Sequence, residues 1–333
     1  MRLLLKICVV AVLAWCGWWW FAVSSMERGV AGWFEARRAE GWQADYAGIT
    51  RKGFPGRLHL TIDLPAVADP ETGVAVDLRS LDIEAKAWWP GDVLVDLPDE
   101  PIILANPTGR SFLTLRGQAA LRTHPRNSLQ LEHMSLTSGP WKVDDPEGNL
   151  VSADSLTLEM QQAEASPETY AFTLDAGGFQ PGAQARDRFF VPEDWPVTFD
   201  RFSLEADVRF DRPWDRSALA DSRPQPRRID LQLAEAAWGD LRLKAAAELD
   251  IDARGVPEGE VQLQAQNWRE ILTLAEAAGA LNSDFRPQLE NVLGTLANLG
   301  GNPENFDVTL TFEDGRTKMG FLPLGPAPYI YLR

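Results

Sequence analysis

The dominant pattern in the chain is an alternation of apolar and polar residues, which predicts β-strands that each bury one face. The clearest alternating segments are 58–64, 202–210, 241–251, 261–266 and 306–312, and weaker ones are 74–87, 112–122, 128–137, 150–160, 170–175 and 229–237. Turns such as Pro257-Glu258-Gly259 and Asp145-Pro146-Glu147-Gly148-Asn149 separate neighbouring segments. Short connections of this kind favour antiparallel meanders over βαβ units.

Two segments near the C-terminus instead repeat apolar residues at helical spacing. The first stripe is Trp268, Ile271, Leu272 and Ala275 after the capping residue Asn267, and the second is Leu289, Val292, Leu293, Leu296 and Leu299 before Gly300-Gly301. The predicted fold class is therefore mainly β, a β-rich α+β protein. Its extended antiparallel meander sheets would be curled or sandwiched over an apolar face, with two helices near the C-terminus.

The N-terminus carries a long apolar segment. Ile7 to Val23 contains no polar side chain, and residues 3–23 are long enough to cross a hydrocarbon layer of about 30 Å as a helix. Arg2 and Lys6 precede it, so the positive-inside rule places the N-terminus in the cytoplasm and the body outside it. We predict a transmembrane signal anchor at 1–26. A cleaved signal peptide ending at Ala22-Val23-Ser24 is the alternative, which the bulky Trp18-Trp19-Trp20 disfavours.

The predicted domain organisation continues with a juxtamembrane helical segment at 27–52, in which Val30, Trp33 and Phe34 share one helix face. That helix either lies on the bilayer or, as we favour, packs against the body. The β-rich body covers 53–333. A proline- and arginine-rich segment at 211–228 predicts an exposed loop or a junction between two halves of the body.

Composition narrows the partners. The chain has 333 residues and a formal net charge of −16, although its first 26 residues hold two cations and no acid. A body this acidic repels nucleic acid, which we exclude as a partner. The two cysteines, Cys8 and Cys16, lie in the apolar N-terminus, so no disulfide can stabilise the body.

No pattern of residues indicates catalysis or a bound cofactor. The three histidines, His59, His124 and His133, have no partner at metal-ligand spacing, and we interpret them as solvated or strand-edge residues. Nucleophile-elbow and phosphate-loop motifs are absent from the sequence. Asp250-x-Asp252 is interpreted as a strand that runs into a turn, and Asp144-Asp145 as a turn, with an adventitious cation as the alternative there. We therefore predict no enzyme, no catalytic, metal or cofactor-binding residue and no cofactor.

Trp88-Trp89-Pro90 is an unusual pair of aromatic residues within the body. It is consistent with a sugar platform, with an exposed apolar contact, or with a buried pair beside a turn, which is the interpretation we favour. A sugar platform together with 48 acidic residues would suit a carbohydrate-active enzyme. That function is the least favoured, because no pair of acids is singled out by the sequence.

Three longer motifs carry a resemblance to a known family. They are GFPGRLHL at 53–60, DIDARGVPEGEVQLQAQNW at 250–268 and DGRTKMGFLPLGPAP at 314–328. With the N-terminal anchor, they resemble an uncharacterised proteobacterial envelope family, the domain of unknown function 2125 family. A more distant resemblance is to AsmA-type envelope proteins, for which a role in lipid movement or outer-membrane assembly is proposed. The resemblance implies a single-pass protein of the bacterial inner membrane that faces the periplasm, with no assigned catalytic residues.

The function that follows is a non-enzymatic, membrane-anchored periplasmic protein that binds lipid or acyl chains in an apolar groove. The alternative is a structural or interaction protein of the envelope whose apolar faces close into a filled core, with an unknown protein partner. The two differ in whether the apolar face of the sheet remains accessible. Partners of the first are the membrane, through residues 3–23, and a lipid.

Overall fold

The computed structural model describes residues 2–124, 127–188, 190–191, 193, 195–220, 223–277, 281–299, 304–320 and 322–332. The helices are α1 Arg2–Ala39, α2 Ala183–Arg188, α3 Ser217–Ala220, α4 Trp268–Ala277 and α5 Arg286–Leu299. The strands before residue 130 are β1 Gln43–Asp45, β2 Gly48–Lys52, β3 Arg57–Asp63, β4 Ala66–Ala68, β5 Ala75–Asp77, β6 Ser80–Lys86, β7 Trp89–Asp96, β8 Ile102–Asn106 and β9 Gly109–His124. Later strands are β10 Gln130–Asp145, β11 Gly148–Ala153, β12 Leu156–Ala163, β13 Ser166–Asp175, β14 Gln180–Pro181, β15 Arg201–Phe210, β16 Pro226–Trp238, β17 Leu241–Ile251, β18 Pro257–Gln266, β19 Asn305–Glu313, β20 Arg316–Met319 and β21 Leu322–Pro326.

The chain divides into two compact units. The first comprises Met1–Leu136 and Asp215–Asp221, and the second comprises Thr137–Trp214 and Ser222–Arg333. One boundary, at Leu136, falls inside β10, and two others, at Trp214/Asp215 and Asp221/Ser222, fall within the junction predicted at 211–228. This segment holds α3 and the first residues of β16. Its prolines suggested a loop, but Pro226 occupies the first position of β16, where a strand tolerates proline.

In the first unit, nine strands pair antiparallel in the order β2-β3-β6-β7-β9-β8-β5-β4-β1. The helix α1 covers part of one face of this sheet. Ala22 and Val23 of the helix pack with Leu58, Leu60 and Ala85, and Val23 is fully buried. The alternation of β3 therefore places its leucines against α1, as the period of two predicts.

The helix α1 is continuous from Arg2 to Ala39, so the predicted anchor and the predicted juxtamembrane helix are one element. It ends earlier than predicted, because residues 43–52 form β1 and β2. Gly41 has a φ of +93° and follows the last helical turn, where its N–H and that of Trp42 donate to the carbonyls of Arg38 and Arg37. A glycine in the left-handed region is the usual way to end a helix.

In the second unit, nine strands form an antiparallel meander in the order β12-β13-β15-β16-β17-β18-β19-β20-β21. The two late helices α4 and α5 connect β18 to β19, as the helical stripes predicted. The side chains of Val292, Leu296 and Leu299 and the Gly300-Gly301 stop lie outside the described part of the chain. The predicted β-rich, antiparallel fold class with one N-terminal helix is confirmed.

Candidate functional site

The apolar face of the second unit's sheet carries one continuous line of small and branched apolar side chains. The line, named here the apolar row, consists of Leu158, Leu174, Leu204, Ala234, Ala245 and Leu263, which are register partners on six adjacent strands. With strands about 4.8 Å apart, the row extends about 24 Å across the sheet. Every residue of the row is half-buried rather than buried, so this part of the face stays accessible.

Small side chains are frequent on the apolar face. On β15 to β18, alanine occupies six positions, which are Ala206, Ala234, Ala236, Ala245, Ala247 and Ala265. Ala206, Ala247 and Ala265 are buried, whereas Ala234, Ala236 and Ala245 are half-buried. Beside these alanines Leu243 stays 39% exposed, which is unusual for a leucine on the apolar side of a strand.

One end of the face is covered by the two late helices. Trp268 and Leu272 of α4 and Leu293 of α5 form a buried cluster with Phe306 and Met319 of the sheet. The Trp268 and Phe306 rings are 6.4 Å apart, and Trp268 is 2% exposed. Helix packing therefore closes the sheet beyond Leu263, at the end of the apolar row.

The C-terminal tail covers another part of the same face. Ala327 is buried in a cluster with Ala247, Leu249 and Phe312, and Ile330 packs against it. The Ile330 N–H donates to the carbonyl of Gly255 (2.8 Å), which fixes the tail against the β17–β18 turn. The tail is rich in proline, which suits an edge strand, and its strand β21 pairs with β20 alone among the described strands.

Aromatic clusters flank the apolar row on the β13 to β16 side. Phe199 stacks on Trp238 with ring centroids 4.6 Å apart, and Phe179 stacks on Phe202 at 4.7 Å. The second cluster comprises Tyr170, Phe172, Phe210 and Trp214. The accessible apolar surface is thus bounded by aromatic rings, the two late helices and the tail.

The opposite face of the same sheet is polar and acidic. It holds a concavity of about 670 Å³ lined by Arg228 and by five acids, Asp230, Glu248, Asp250, Glu258 and Glu260. Arg228 pairs with three of these carboxylates at 2.9 Å (Asp230), 3.2 Å (Glu248) and 3.4 Å (Asp250). No tryptophan, tyrosine or phenylalanine lines this concavity, so it lacks the aromatic platform of a sugar site.

The histidines singled out in the sequence all lie in the first unit. His133 lies in β10 and His124 ends β9. His59 is not simply solvated, because its Nε2 lies 2.8 Å from Asp82 Oδ1. Burial would raise the pKa of Asp82, but hydrogen bonds from His59 and Thr61 outweigh it and hold the pKa below its ordinary value.

This pair predicts a small acid sensitivity of the first unit. Because the pKa of Asp82 is lower in the folded state, its stabilising effect is present above the unfolded pKa of about 3.9 and is lost as pH falls further. We expect Asp82→Asn to remove less than about 1 kcal/mol at pH 6, since the pair is partly exposed. Urea unfolding at pH 6 and at pH 3 should show the difference between variant and parent shrinking at the lower pH. Asp63→Asn, an exposed neighbour, is the control, and an undiminished difference at pH 3 would contradict the assignment.

The acidic motifs interpreted as turns are turns in the structure. Asp252 Oδ1 accepts the N–H groups of Arg254 (2.8 Å) and Val256 (2.9 Å), and the Val256 N–H and the Arg254 side chain lower the pKa of Asp252. Asp145 Oδ1 accepts those of Glu147 (2.9 Å) and Gly148 (2.8 Å). Among the described residues, no three His, Cys, Asp or Glu side chains converge on a point that could hold a metal.

The favoured interpretation of Trp88-Trp89 as a buried pair is wrong. Trp88 is 62% exposed and Trp89 48% exposed. Trp88 lies beside Gly56, where an added Cβ would stand 3.9 Å from the indole ring. Trp88 lies in the turn between β6 and β7, and Trp89 is the first residue of β7. The sequence does not show that the described residues of the first unit leave both side chains exposed.

The fold and these surfaces define a β-rich, antiparallel protein with one N-terminal helix that is long and apolar enough to span a membrane. The chain belongs to the DUF2125 family, described as uncharacterized proteins conserved in bacteria, whose model matches residues 19–328. The resemblance to this family is therefore confirmed, whereas the likeness to AsmA-type proteins stays a prediction. A comparison with curated proteins found no significant match.

Proposed function

We propose that this protein is anchored in the bacterial inner membrane by α1, with its body in the periplasm, and that the apolar row binds an acyl chain of an envelope lipid. The protein would act in lipid homeostasis of the envelope without catalysing a reaction. The single observation that carries the proposal is the half-exposed apolar row. An accessible apolar surface of this length on a folded unit normally marks a binding site.

The dimensions of the row support an acyl chain as the ligand. One lipid chain spans one leaflet, which is half of a hydrocarbon layer about 30 Å thick. The row is about 24 Å long, so it is longer than that span. The half-buried alanines Ala234, Ala236 and Ala245 would let a chain lie close to the sheet as it crosses β16 and β17. The acidic opposite face disfavours the anionic surface of a nucleic acid or of a second membrane.

The anchor supports the proposed location. Residues Leu3, Leu4, Leu5, Ile7, Val9, Val10, Val12 and Leu13 are all exposed along α1, as expected for side chains that face lipid. The buried positions of Ala22 and Val23 disfavour cleavage after Ser24, because cleavage would remove part of the first unit's core. By the positive-inside rule, Arg2 and Lys6 favour a cytoplasmic N-terminus.

The alternative, a sheet whose apolar face is filled by its own side chains, predicts buried rather than half-exposed residues along the row. The exposure of Leu243 also favours the groove. A protein partner could bind the acidic face whether the apolar face is a groove or a filled core. The binding experiment below distinguishes the groove from the filled core.

The full-length protein in amphipol should bind a fluorescent fatty acid at a saturable site. Dodecanoic, tetradecanoic and hexadecanoic acids should displace it with affinities that rise about tenfold for each two-carbon step, because each buried methylene contributes about 0.8 kcal/mol. Displacement is measured by fluorescence at constant ionic strength. Native mass spectrometry of the detergent-extracted protein should also find lipid bound. Affinity that ignores chain length in the folded protein would rule out the groove and favour the filled core.

A further inference from the structure

The N-terminal helix and the first unit's body are joined by three tryptophan side chains. Each indole N–H donates to one backbone carbonyl of the body, and the three carbonyls lie in two neighbouring segments. The three hydrogen bonds are Trp15 Nε1 to Pro55 O (3.0 Å), Trp18 Nε1 to Ala87 O (2.8 Å) and Trp19 Nε1 to Arg57 O (2.7 Å). Trp19 also packs edge-to-face on Phe54, with ring centroids 5.4 Å apart. The body therefore meets the helix well inside the apolar run.

These contacts set the depth of the two loops. From Trp15 to Val23 the helix rises about 12 Å, so Pro55 lies about 12 Å below the outer end of the apolar run. Between Lys6 and Trp15 there are eight apolar residues, which span about 12 Å of a hydrocarbon layer about 30 Å thick. The helix can cross such a layer only if the segment around Trp15 to Phe21 is also within the membrane. The loops held by these tryptophans then lie at the membrane as well.

The hydrogen bonds explain how backbone can be tolerated at that depth. An unsatisfied carbonyl in a bilayer costs several kcal/mol, so irregular backbone is found there only where its polar groups have partners. The indoles supply partners for the carbonyls of Pro55, Arg57 and Ala87. Within the first loop, the Arg57 N–H donates to the carbonyl of Gly53 (2.9 Å), which closes the turn on itself.

The side chains around the loops are those of a membrane interface. Phe54 is exposed, as are Trp88 and Trp89, and Trp20 and Phe21 of the helix are exposed too. Phe54 lies against Trp19 of the helix, and Trp88 lies beside Gly56, two residues further along the same loop. We name Phe54, Trp88 and Trp89 the aromatic edge. Tryptophan is enriched at the headgroup level, where its ring is apolar and its N–H is polar.

Cations flank the aromatic edge in a chain that is otherwise acidic. Lys52, Arg57 and Lys86 are exposed there. Arg57 and Lys86 pair with Glu84 and Asp92, at 2.9 Å in both cases, and each cation is far more exposed than its carboxylate partner. Long basic side chains can place their apolar stems along hydrocarbon and their charged ends among phosphates.

We propose that the aromatic edge inserts into the outer leaflet of the same membrane that α1 spans, so that the first unit is seated in the bilayer rather than tethered above it. The inference rests on the membrane anchor of the proposed function, but it does not depend on lipid binding by the apolar row. Its occupant is the lipid surface itself, because the edge is continuous with the membrane-spanning helix.

Spin-label depth measurements on the full-length protein test this directly. In a Cys8→Ser, Cys16→Ser background, single cysteines replace Phe54, Trp88 or Trp89 (Phe54→Cys, Trp88→Cys, Trp89→Cys) and carry a nitroxide. Leu13→Cys reports the helix, and Glu71→Cys reports an exposed turn of the same unit. In vesicles of phosphatidylethanolamine and phosphatidylglycerol, the three edge labels should be severalfold less accessible to a water-soluble nickel chelate than Glu71→Cys, and more accessible to oxygen.

The possible outcomes distinguish the membrane anchor from the insertion of the aromatic edge. If Leu13→Cys is protected from nickel while all three edge labels are as accessible as Glu71→Cys, the anchor stands and the seated edge is wrong. If Leu13→Cys is itself accessible to nickel, the anchor fails and the edge contact fails with it. The labelled positions are exposed, so loss of folding is not expected, and circular dichroism of each variant checks this.

Discussion

Replacing Trp268 by alanine is expected to destabilise the second unit by about 3–5 kcal/mol. Trp268 is the largest fully buried side chain of the described core and joins α4, α5 and the sheet in one cluster. Its removal leaves a cavity between the helices and β18–β19, and α5 cannot collapse fully into it because its backbone is rigid. Gly294 of α5 already approaches the indole closely, since a Cβ there would stand 4.0 Å from the ring.

The measurement is hydrogen exchange of the amides in β18 and β19, whose opening free energy should fall by that amount. Gln262→Ala is the matched control, because Gln262 lies on the exposed face of β18 and its truncation should change stability by less than about 0.5 kcal/mol. A cost below about 1 kcal/mol for Trp268→Ala would mean that the helices are not docked on the sheet.

The individual strands of the second unit could be predicted because their signal is local. In β17 and β18 the apolar residues keep one phase with the single exception of Ala246, so the pattern alone assigns the faces. What local pattern cannot give is the register between strands. Leu158 and Leu263 belong to one row only because five successive strand pairings align them, and a shift of one residue at any pairing would break the row.

The continuity of α1 across residue 26 depends on contacts that the apolar pattern does not show. Ser24, Ser25 and Glu27 interrupt the apolar run, which suggested the end of one element. In the structure Arg51 donates to Ser24 (3.2 Å) and pairs with Glu27, so those polar residues have partners on β2 and the helix continues. Partners this distant in sequence are invisible to a pattern that counts only apolar spacing.

The exposure of Trp88 and Trp89 was also beyond prediction. Burial is the usual state of a tryptophan pair, and only three-dimensional contacts show otherwise. Trp88 lies beside Gly56, which the chain brings close through the pairing of β3 with β6. The hydrogen bonds from the tryptophans of α1 to the body were equally beyond prediction, because they join residues 38 to 69 positions apart in the chain.

Filling the apolar row should abolish most acyl-chain binding while leaving the fold intact. Ala245→Phe places an aromatic ring over the centre of the row, where Ala234 and Leu263 are its register neighbours. If the ring excludes four methylenes of the ligand, about 3 kcal/mol is lost, which weakens binding by about a hundredfold or more. The new side chain faces an accessible surface rather than a packed core, so overpacking strain is not expected.

Ala246→Phe provides the matched control for this substitution. It makes the same change one residue further along β17, and because side chains alternate, it points into the acidic concavity on the opposite face. Displacement of the fluorescent fatty acid by hexadecanoic acid should therefore weaken strongly in Ala245→Phe and change less than about threefold, under about 0.7 kcal/mol, in Ala246→Phe. Equal losses in both variants would mean that the substitutions act through stability, and unchanged binding in both would place the lipid away from the row. Loss confined to Ala245→Phe would locate the acyl chain on the apolar face, since only that face distinguishes the two variants.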